Sequence, residues 1–174
     1  MSIAENVARI RAEMAAAAVA AGRDPREIKL CAATKMNDAD AVRQAIAAGV
    51  DCCGENRVQE LTAQLAENAY EGAPVHFIGH LQTNKVKQVV GKVDLIQSVD
   101  SLRLLEAIDR EAGKQGIVQS ILLEVNIAGE ETKGGVAPEM LDELIGQTTE
   151  LEGIRLRGLM TIPPLDVKGS NERY

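Results

Sequence analysis

The sequence predicts an α/β fold in which parallel strands alternate with helices. Three observations support this prediction. Short apolar runs without polar alternation recur along the 174 residues, as expected of strands that are buried on both faces of a parallel sheet. Helix start and stop signals separate these runs, and the connections are short. Polar residues repeatedly follow the apolar runs, at the carboxyl ends of the predicted strands, where ligands bind in this class of fold.

The elements follow from capping residues and apolar runs. Ser2 and Glu5 form a capping box that predicts a first helix from Ile3 to Ala21, ending at Gly22. Six strands are predicted at 28–34, 50–53, 75–78, 95–99, 118–126 and 154–161. Helices are predicted between them at 37–48, 56–68, from Thr83 onward, at 101–115 and at 138–149. Pro163–Pro164 excludes a helix directly after the sixth strand.

A barrel explains the strand ends better than a doubly wound sheet, because every strand then contributes to one mouth. A doubly wound nucleotide-binding fold requires a glycine-rich turn after its first strand, and residues 34–37 contain no glycine. A complete barrel takes roughly 250 residues. We therefore expect a single domain over residues 1–174, a TIM (β/α)8-type barrel truncated to about six strand–helix units. Polar residues end these strands at Lys35, Asn56, His76, Ser98, Asn126 and Thr161.

Composition excludes several classes of function. The net charge of −7 and the pI of about 4.9 argue against binding to nucleic acid, and no apolar stretch is long enough to span a membrane. Cys31, Cys52 and Cys53 lack the spacing of a metal or redox motif, so they are predicted to be small buried hydrophobes in a reducing, cytoplasmic protein. His76 and His80 lie on a strand and a loop, so no metal site is expected.

Lys35 is the first candidate for chemistry because it ends an apolar strand. An amine held against apolar neighbours loses hydration and becomes a nucleophile that can form a Schiff base with an aldehyde. The alternative is a solvated lysine that merely closes the strand, and the strand alone favours that alternative.

Three further residues have both a structural and a ligand-binding interpretation. Asn56 either caps the following helix or hydrogen-bonds a ligand oxygen at the mouth. His76 is either a structural histidine or a neighbour that stacks on, or hydrogen-bonds to, a cofactor. Met160 either packs in the core or backs a flat ring.

Five segments together resemble the pyridoxal-phosphate homeostasis protein family, which is related to the N-terminal barrel of alanine racemase. The segments are ATK at 33–35, GENRVQE at 54–60, HFIGHLQTNK at 76–85, EVNIAGEETKGG at 124–135 and RGLMTIPP at 157–164.

The resemblance implies a barrel that holds pyridoxal 5′-phosphate (PLP) as a Schiff base on Lys35. Met160 would flank the pyridine ring, and Asn56 with His76 would hydrogen-bond the phenolic oxygen. The phosphate donors are expected on the loops after strands seven and eight, which the sequence ending at Tyr174 does not supply. The resemblance also implies a cofactor carrier without established turnover, and we expect it to be a cytoplasmic monomer. Its expected partners are PLP and PLP-dependent apoenzymes, with no nucleic acid and no membrane.

Two rival functions use the same amine. A PLP-dependent amino-acid racemase would need a tyrosine from a second domain opposite Lys35, and neither Tyr70 nor Tyr174 is expected to be well placed. A Schiff-base aldolase would act on a sugar phosphate without a bound cofactor.

Overall fold

The computed structural model describes residues 1–130 and 133–163, and the chain divides into two compact units. The first unit is Met1–Phe77, and the second begins at Ile78. Tyr174, Pro164 and part of the glycine-containing segment 129–135 lie outside the described residues. The prediction of one domain over the whole chain stays a prediction.

The first unit contains three parallel strands that pair in chain order. Its helices are α1 (Ile3–Ala20), α2 (Ala39–Ala47) and α3 (Val58–Ala66), with a 3-10 helix at Pro25–Glu27. Its strands are β1 (Cys31–Ala33), β2 (Cys52–Glu55) and β3 (Val75–Phe77).

Capping side chains set the starts of α1 and α2, as predicted. The Ser2 hydroxyl accepts from the Glu5 backbone N–H at 3.2 Å, and the Glu5 carboxylate accepts from the Ser2 N–H at 2.7 Å. Asp38 caps α2 by accepting from the Ala41 N–H at 2.8 Å. Both helices therefore begin within a residue or two of their predicted starts.

The core of the first unit lies where the helices meet the strands. Val42, Leu61 and Phe77 are almost fully buried there. The apolar residues Val58, Leu61 and Leu65 predict the inward face of α3, and one position is wrong, because Leu65 is exposed and Gln64 is buried instead. Gln64 takes this position because its amide has a backbone partner, Asn37 O at 2.7 Å.

The second unit also contains three parallel strands paired in chain order. Its strands are β4 (Leu95–Val99), β5 (Gln119–Glu124) and β6 (Ile154–Met160). Its helices are α4 (Leu102–Gln115) and α5 (Leu141–Thr148), with 3-10 helices at Thr83–Gln88 and Pro138–Met140. The predicted alternation of strands and helices is therefore confirmed in both units, and most strands are shorter than predicted.

Two local features of the second unit differ from simple sequence patterns. The segment that starts at Thr83 is a short 3-10 helix, although its three valines, Val86, Val89 and Val90, are all buried as expected of an inward face. Strand β6 has an irregularity at Gly158, whose φ of +151° suits glycine, and the register with β5 shifts between Ile121 and Leu123. No helix within the described ranges is long and apolar enough to cross a bilayer.

Candidate functional site

Lys35 lies directly beyond the carboxyl end of β1, as predicted. The Thr34 N–H donates to Gly54 O at 3.0 Å, so pairing with β2 continues to the residue before the lysine. The Lys35 side chain is exposed. This differs from the expectation of an amine surrounded by apolar neighbours, because residue 35 stands past the last paired position of the strand.

The backbone around Lys35 is held in place by α3 and its own turn. The Asn37 amide donates to Lys35 O at 2.9 Å, and Gln64 in turn donates to Asn37 O. The Met36 N–H donates to the Glu60 carboxylate at 3.3 Å, and Met36 has a φ of +61°. The main chain of this loop is therefore fixed at several points while the lysine side chain stays free to reach a ligand.

Asn56 follows the end of β2, and it does not cap the next helix. The N-cap of α3 is Arg57, which makes no side-chain capping bond, so the capping interpretation of Asn56 is wrong. The Asn56 Oδ1 atom is buried and has no hydrogen-bond partner among the described residues. Because a buried polar atom without a partner costs free energy, this amide fits a ligand that supplies the missing bond.

A buried carboxyl, Glu55, lies beside Asn56 on the opposite face of β2. Its Oε1 atom accepts from the Thr34 hydroxyl and from the Tyr70 hydroxyl, the latter at 3.1 Å. Glu55 is fully buried, and this burial raises the pKa of its carboxyl above the ordinary value. Burial, together with the neighbouring Glu55, likewise raises the pKa of Tyr70.

The sequence analysis missed this hydrogen-bonded cluster of Thr34, Glu55 and Tyr70, although a glutamate inside an apolar strand was a signal for it. It ties Thr34, the residue before Lys35, to β2 and to the segment after α3. It also occupies the hydroxyl of Tyr70, which is almost completely buried. Tyr70 is thus unavailable as an exposed proton donor, as expected from its sequence position.

His76 lies on β3 and contacts a thiol. By register its Cα pairs with Gly54, two residues before Asn56, and its Nδ1 atom is 3.6 Å from Cys52 Sγ. Cys31 pairs with Cys52 in the neighbouring strand. One ligand atom from each of these three residues lies within 4.8 Å of the others. The contact between His76 and a cofactor stays a prediction.

The two thiols of this cluster differ in acidity. The hydrogen bond from Cys52 lowers the pKa of Cys31, and the same bond, together with burial, raises the pKa of Cys52. Cys52 and Cys53 are buried as predicted, whereas Cys31 is half-buried. The sequence analysis missed the cluster because its members are distant in sequence. Alternation along three adjacent strands is the signal that could have found it.

Met160 ends β6 in the second unit and is half-buried. The irregularity at Gly158 brings Met160 opposite Glu124 on β5. Glu124 is buried, and burial, with the nearby Asp100, raises the pKa of its carboxyl. His80 lies 3.9 Å from Asp100. The carboxyl end of this unit's strands thus carries an acidic group beside the predicted ring-flanking methionine.

The remaining predicted strand-end residues of the second unit are bound locally or buried. The Asn126 amide donates to Glu130 O at 2.9 Å, and the Thr161 hydroxyl donates to Val125 O at 2.8 Å. Ser98 Oγ is buried and without a partner among the described residues. Asn126 and Thr161 therefore have structural roles that explain their positions.

Comparison with protein families identifies the fold. The profile of the family described as "Alanine racemase, N-terminal domain" matches residues 2–171. An alanine racemase from Clostridium difficile, 18% identical, has a TM-score of 0.69 over 84% of this chain and 39% of its own, which shows the shared fold. The predicted α/β fold of the TIM-barrel, alanine racemase N-terminal type is confirmed.

Closer relatives are similar over nearly the whole chain. The "Pyridoxal phosphate homeostasis protein" of Aquifex aeolicus is 44% identical, covering 94% of this chain and 72% of the relative. The counterpart from Pseudomonas aeruginosa is 42% identical, covering 93% of this chain and 70% of the relative.

One similar protein has a solved structure with PLP bound. PipY of Synechococcus elongatus, described as having PLP bound, is 35% identical with a TM-score of 0.83, covering 99% of this chain and 76% of PipY. The chain belongs to the pyridoxal phosphate homeostasis protein family.

Proposed function

We propose that this protein binds PLP and takes part in maintaining the cellular supply of that cofactor, with Lys35 as its covalent anchor. Membership of the homeostasis family and the PLP-bound structure of PipY support the cofactor. The observation in this chain that carries the proposal is the exposed side chain of Lys35 on a fixed backbone at the end of β1. When bound, PLP supplies an aldehyde that condenses with a primary amine.

The chain's own residues fit parts of that cofactor. Lys35 presents the amine, and the loop bonds from Asn37 and Gln64 hold its main chain without restricting the side chain. Asn56 carries a buried amide end with no partner among the described residues, which suits a polar substituent of a bound ring. Contacts of His76 with the phenolic oxygen and of Met160 with the pyridine ring are part of the proposal, as the family resemblance implies.

The proposed role is that of a carrier and regulator without turnover, and its proposed protein partners are PLP-dependent apoenzymes. Nothing in the described residues favours racemisation, since the Tyr70 hydroxyl is buried against Glu55. A monomeric cytoplasmic protein is proposed from the family resemblance and from three cysteines that are all unpaired.

The attachment is tested by reducing the PLP-loaded protein with borohydride and mapping the product by mass spectrometry. A pyridoxyl group on the peptide that contains Lys35 is expected. Lys29 is the matched internal control, because it precedes the same strand and its amine lies 3.8 Å from Asp51. A label on Lys29 alone, or on surface lysines in general, would contradict the proposal.

A further inference from the structure

Three soft donor side chains meet on one face of the first unit. Cys31, Cys52 and His76 come from three adjacent parallel strands, and one ligand atom of each lies within 4.8 Å of the others. The Cys31 and Cys52 backbones are direct register partners. The cluster is thus fixed by strand pairing and does not depend on the conformation of a loop.

The spacing of these atoms matches that of ligands around a tetrahedral zinc ion. Bond lengths of about 2.3 Å to sulfur and about 2.0–2.1 Å to nitrogen place two such ligands about 3.6 Å apart. The distance between Cys52 Sγ and His76 Nδ1 is 3.6 Å. The Cys31 Sγ atom lies within 4.8 Å of the other two ligand atoms. A small movement of this side chain would bring its sulfur to the distance expected of a third zinc ligand.

The surroundings of the cluster suit an ion that enters from one side. Cys52 is 4% exposed, whereas Cys31 and His76 are half-buried. A metal would therefore be largely removed from water on the Cys52 side and reachable on the other. The next row along the strands, Ala33 and Gly54, carries little side chain, which leaves room for a water as the fourth ligand.

The donor set selects a class of metal. Thiolate sulfur and imidazole nitrogen favour Zn²⁺ or Cu⁺ over Mg²⁺ or Ca²⁺, which prefer oxygen. Two thiolates and a neutral imidazole carry a charge of −2, which a divalent ion neutralises and a monovalent ion does not. In a partly buried site an uncompensated charge is costly, so charge balance favours Zn²⁺ over Cu⁺.

We propose that Cys31, Cys52 and His76 form a binding site for one Zn²⁺ ion, with the fourth position open to water. Binding displaces the two thiol protons to solvent. The site is separate from the PLP anchor, because Cys31 lies within β1, whereas Lys35 follows four residues later in the turn beyond the end of that strand.

Cobalt titration of the full chain tests the site directly. With the three thiols kept reduced, one equivalent of Co²⁺ should give the visible bands of a tetrahedral ion and a sulfur charge-transfer band, and Zn²⁺ should displace both. Cys31→Ala and Cys52→Ala should each weaken binding by about 100-fold or more, since changes outside the ligand shell alone cost about 10- to 100-fold.

Cys53 provides the matched control. It is the neighbour of Cys52, but it points to the opposite face of β2 and is fully buried. Cys53→Ala should retain the Co²⁺ spectrum and the Zn²⁺ affinity. Absence of the bands in the unsubstituted chain, or equal Zn²⁺ affinity in the Cys31→Ala, Cys52→Ala and unsubstituted chains, would overturn the proposal.

A measurement without substitutions covers the case in which a variant fails to fold. The half-buried thiol of Cys31 should be alkylated at least about tenfold more slowly in the presence of Zn²⁺, because only the metal-free thiolate reacts. The rate is followed by mass spectrometry of the peptide that contains Cys31. An unchanged rate at saturating Zn²⁺ would show that this thiol is not a ligand.

Discussion

The two faces of the strands in the first unit are built differently. One face carries the cluster of Cys31, Cys52 and His76, and Lys35 and Asn56 follow the carboxyl ends of β1 and β2. Lys35 is exposed, Asn56, Cys31 and His76 are half-buried, and Cys52 is buried. The other face carries Thr34 and Glu55, which are buried and hydrogen-bonded to each other. We call these the open face and the closed face.

The difference shows that neighbouring residues of one strand can have separate roles, one in stabilising the strand and one in binding a ligand. On the closed face, Thr34 and Glu55 are enclosed, and the Oε1 atom of Glu55 accepts from two hydroxyls, which fixes where β1 and β2 end. On the open face, the Lys35 side chain is exposed and Asn56 Oδ1 has no partner among the described residues, so these two groups can meet a ligand. Because side chains alternate along a strand, one residue of sequence separates a binding group from the group that positions it.

Removing the amine of the open face should have the largest effect. Lys35→Ala is expected to abolish covalent attachment of PLP, leaving at most weak noncovalent binding, because no other group can replace a primary amine at that position. Absorbance of the PLP-loaded protein and the mass after borohydride reduction measure this. Lys29→Ala should behave like the unsubstituted protein, and a reduced adduct of equal yield in Lys35→Ala would remove the basis of the proposed function.

Removing the carboxyl of the closed face should have the next largest effect, and it should act on stability. Glu55→Ala leaves the hydroxyls of Thr34 and Tyr70 without their shared acceptor and opens a cavity, so a loss of about 2–4 kcal/mol in the free energy of unfolding is expected. Urea denaturation measures it. Tyr70→Phe, which removes a single hydroxyl, should cost about 1 kcal/mol; equal losses in the two variants would contradict the shared-acceptor arrangement.

Removing the amide of the open face should have a smaller effect, on binding alone. Asn56→Ala is expected to weaken PLP binding by about tenfold, or about 1.4 kcal/mol, with a change in unfolding free energy within about 0.5 kcal/mol. Its Oδ1 atom has no partner to lose among the described residues. Equilibrium titration and urea denaturation give the two values. Asn6→Ala on α1 is the control. If Asn56→Ala lowered the free energy of unfolding without weakening PLP binding, Asn56 would have a structural role like that of the closed face.

The smallest expected effect is a pH dependence of the closed face. The carboxyl of Glu55 has a folded-state pKa raised above its ordinary value of 4.5, chiefly by burial and further by Glu60. Its contribution to stability is therefore complete below the unfolded-state pKa and is lost as pH rises through the folded-state pKa. Glu55→Gln, which stays neutral, should lack this loss.

Urea denaturation at several pH values from about 4 upward compares the two proteins over the range in which Glu55 titrates. The free energy of unfolding of Glu55→Gln, relative to the unsubstituted protein, should increase with pH. Tyr70 does not interfere, because its pKa is raised above the ordinary value for tyrosine. Parallel pH profiles would mean that the pKa of Glu55 is the same in the folded and unfolded states, which would contradict the raised folded-state pKa.

Much of the fold could be predicted because its signals are local. Ser2 with Glu5, and Asp38, cap helices through residues three positions away, so their sequence spacing alone locates the helix starts. The strand at 95–99 was predicted with its observed bounds, since its apolar run is short and clearly flanked. Lys35 at a strand end follows from the same local pattern.

What could not be predicted depends on register and on tertiary partners. The burial of Gln64 in place of Leu65 is determined by the carbonyl of Asn37, which no helical period reveals. The position of Met160 opposite Glu124 depends on the irregularity at Gly158, which shifts the pairing. The meeting of Cys31 with His76 requires knowing how three strands align.

The fixed loop around Lys35 has a thermodynamic consequence for capture of a ligand. Ordering a flexible backbone costs about 1–2 kcal/mol for each residue, and this cost would be subtracted from affinity. Here the bonds from Asn37, Gln64 and Glu60 already order the main chain. Only the rotamers of one lysine remain to be restricted, at about 2 kcal/mol. The main chain that carries the amine is thus preorganised, and the motion left for meeting a ligand is the rotation of one side chain, which takes picoseconds to nanoseconds at an exposed position.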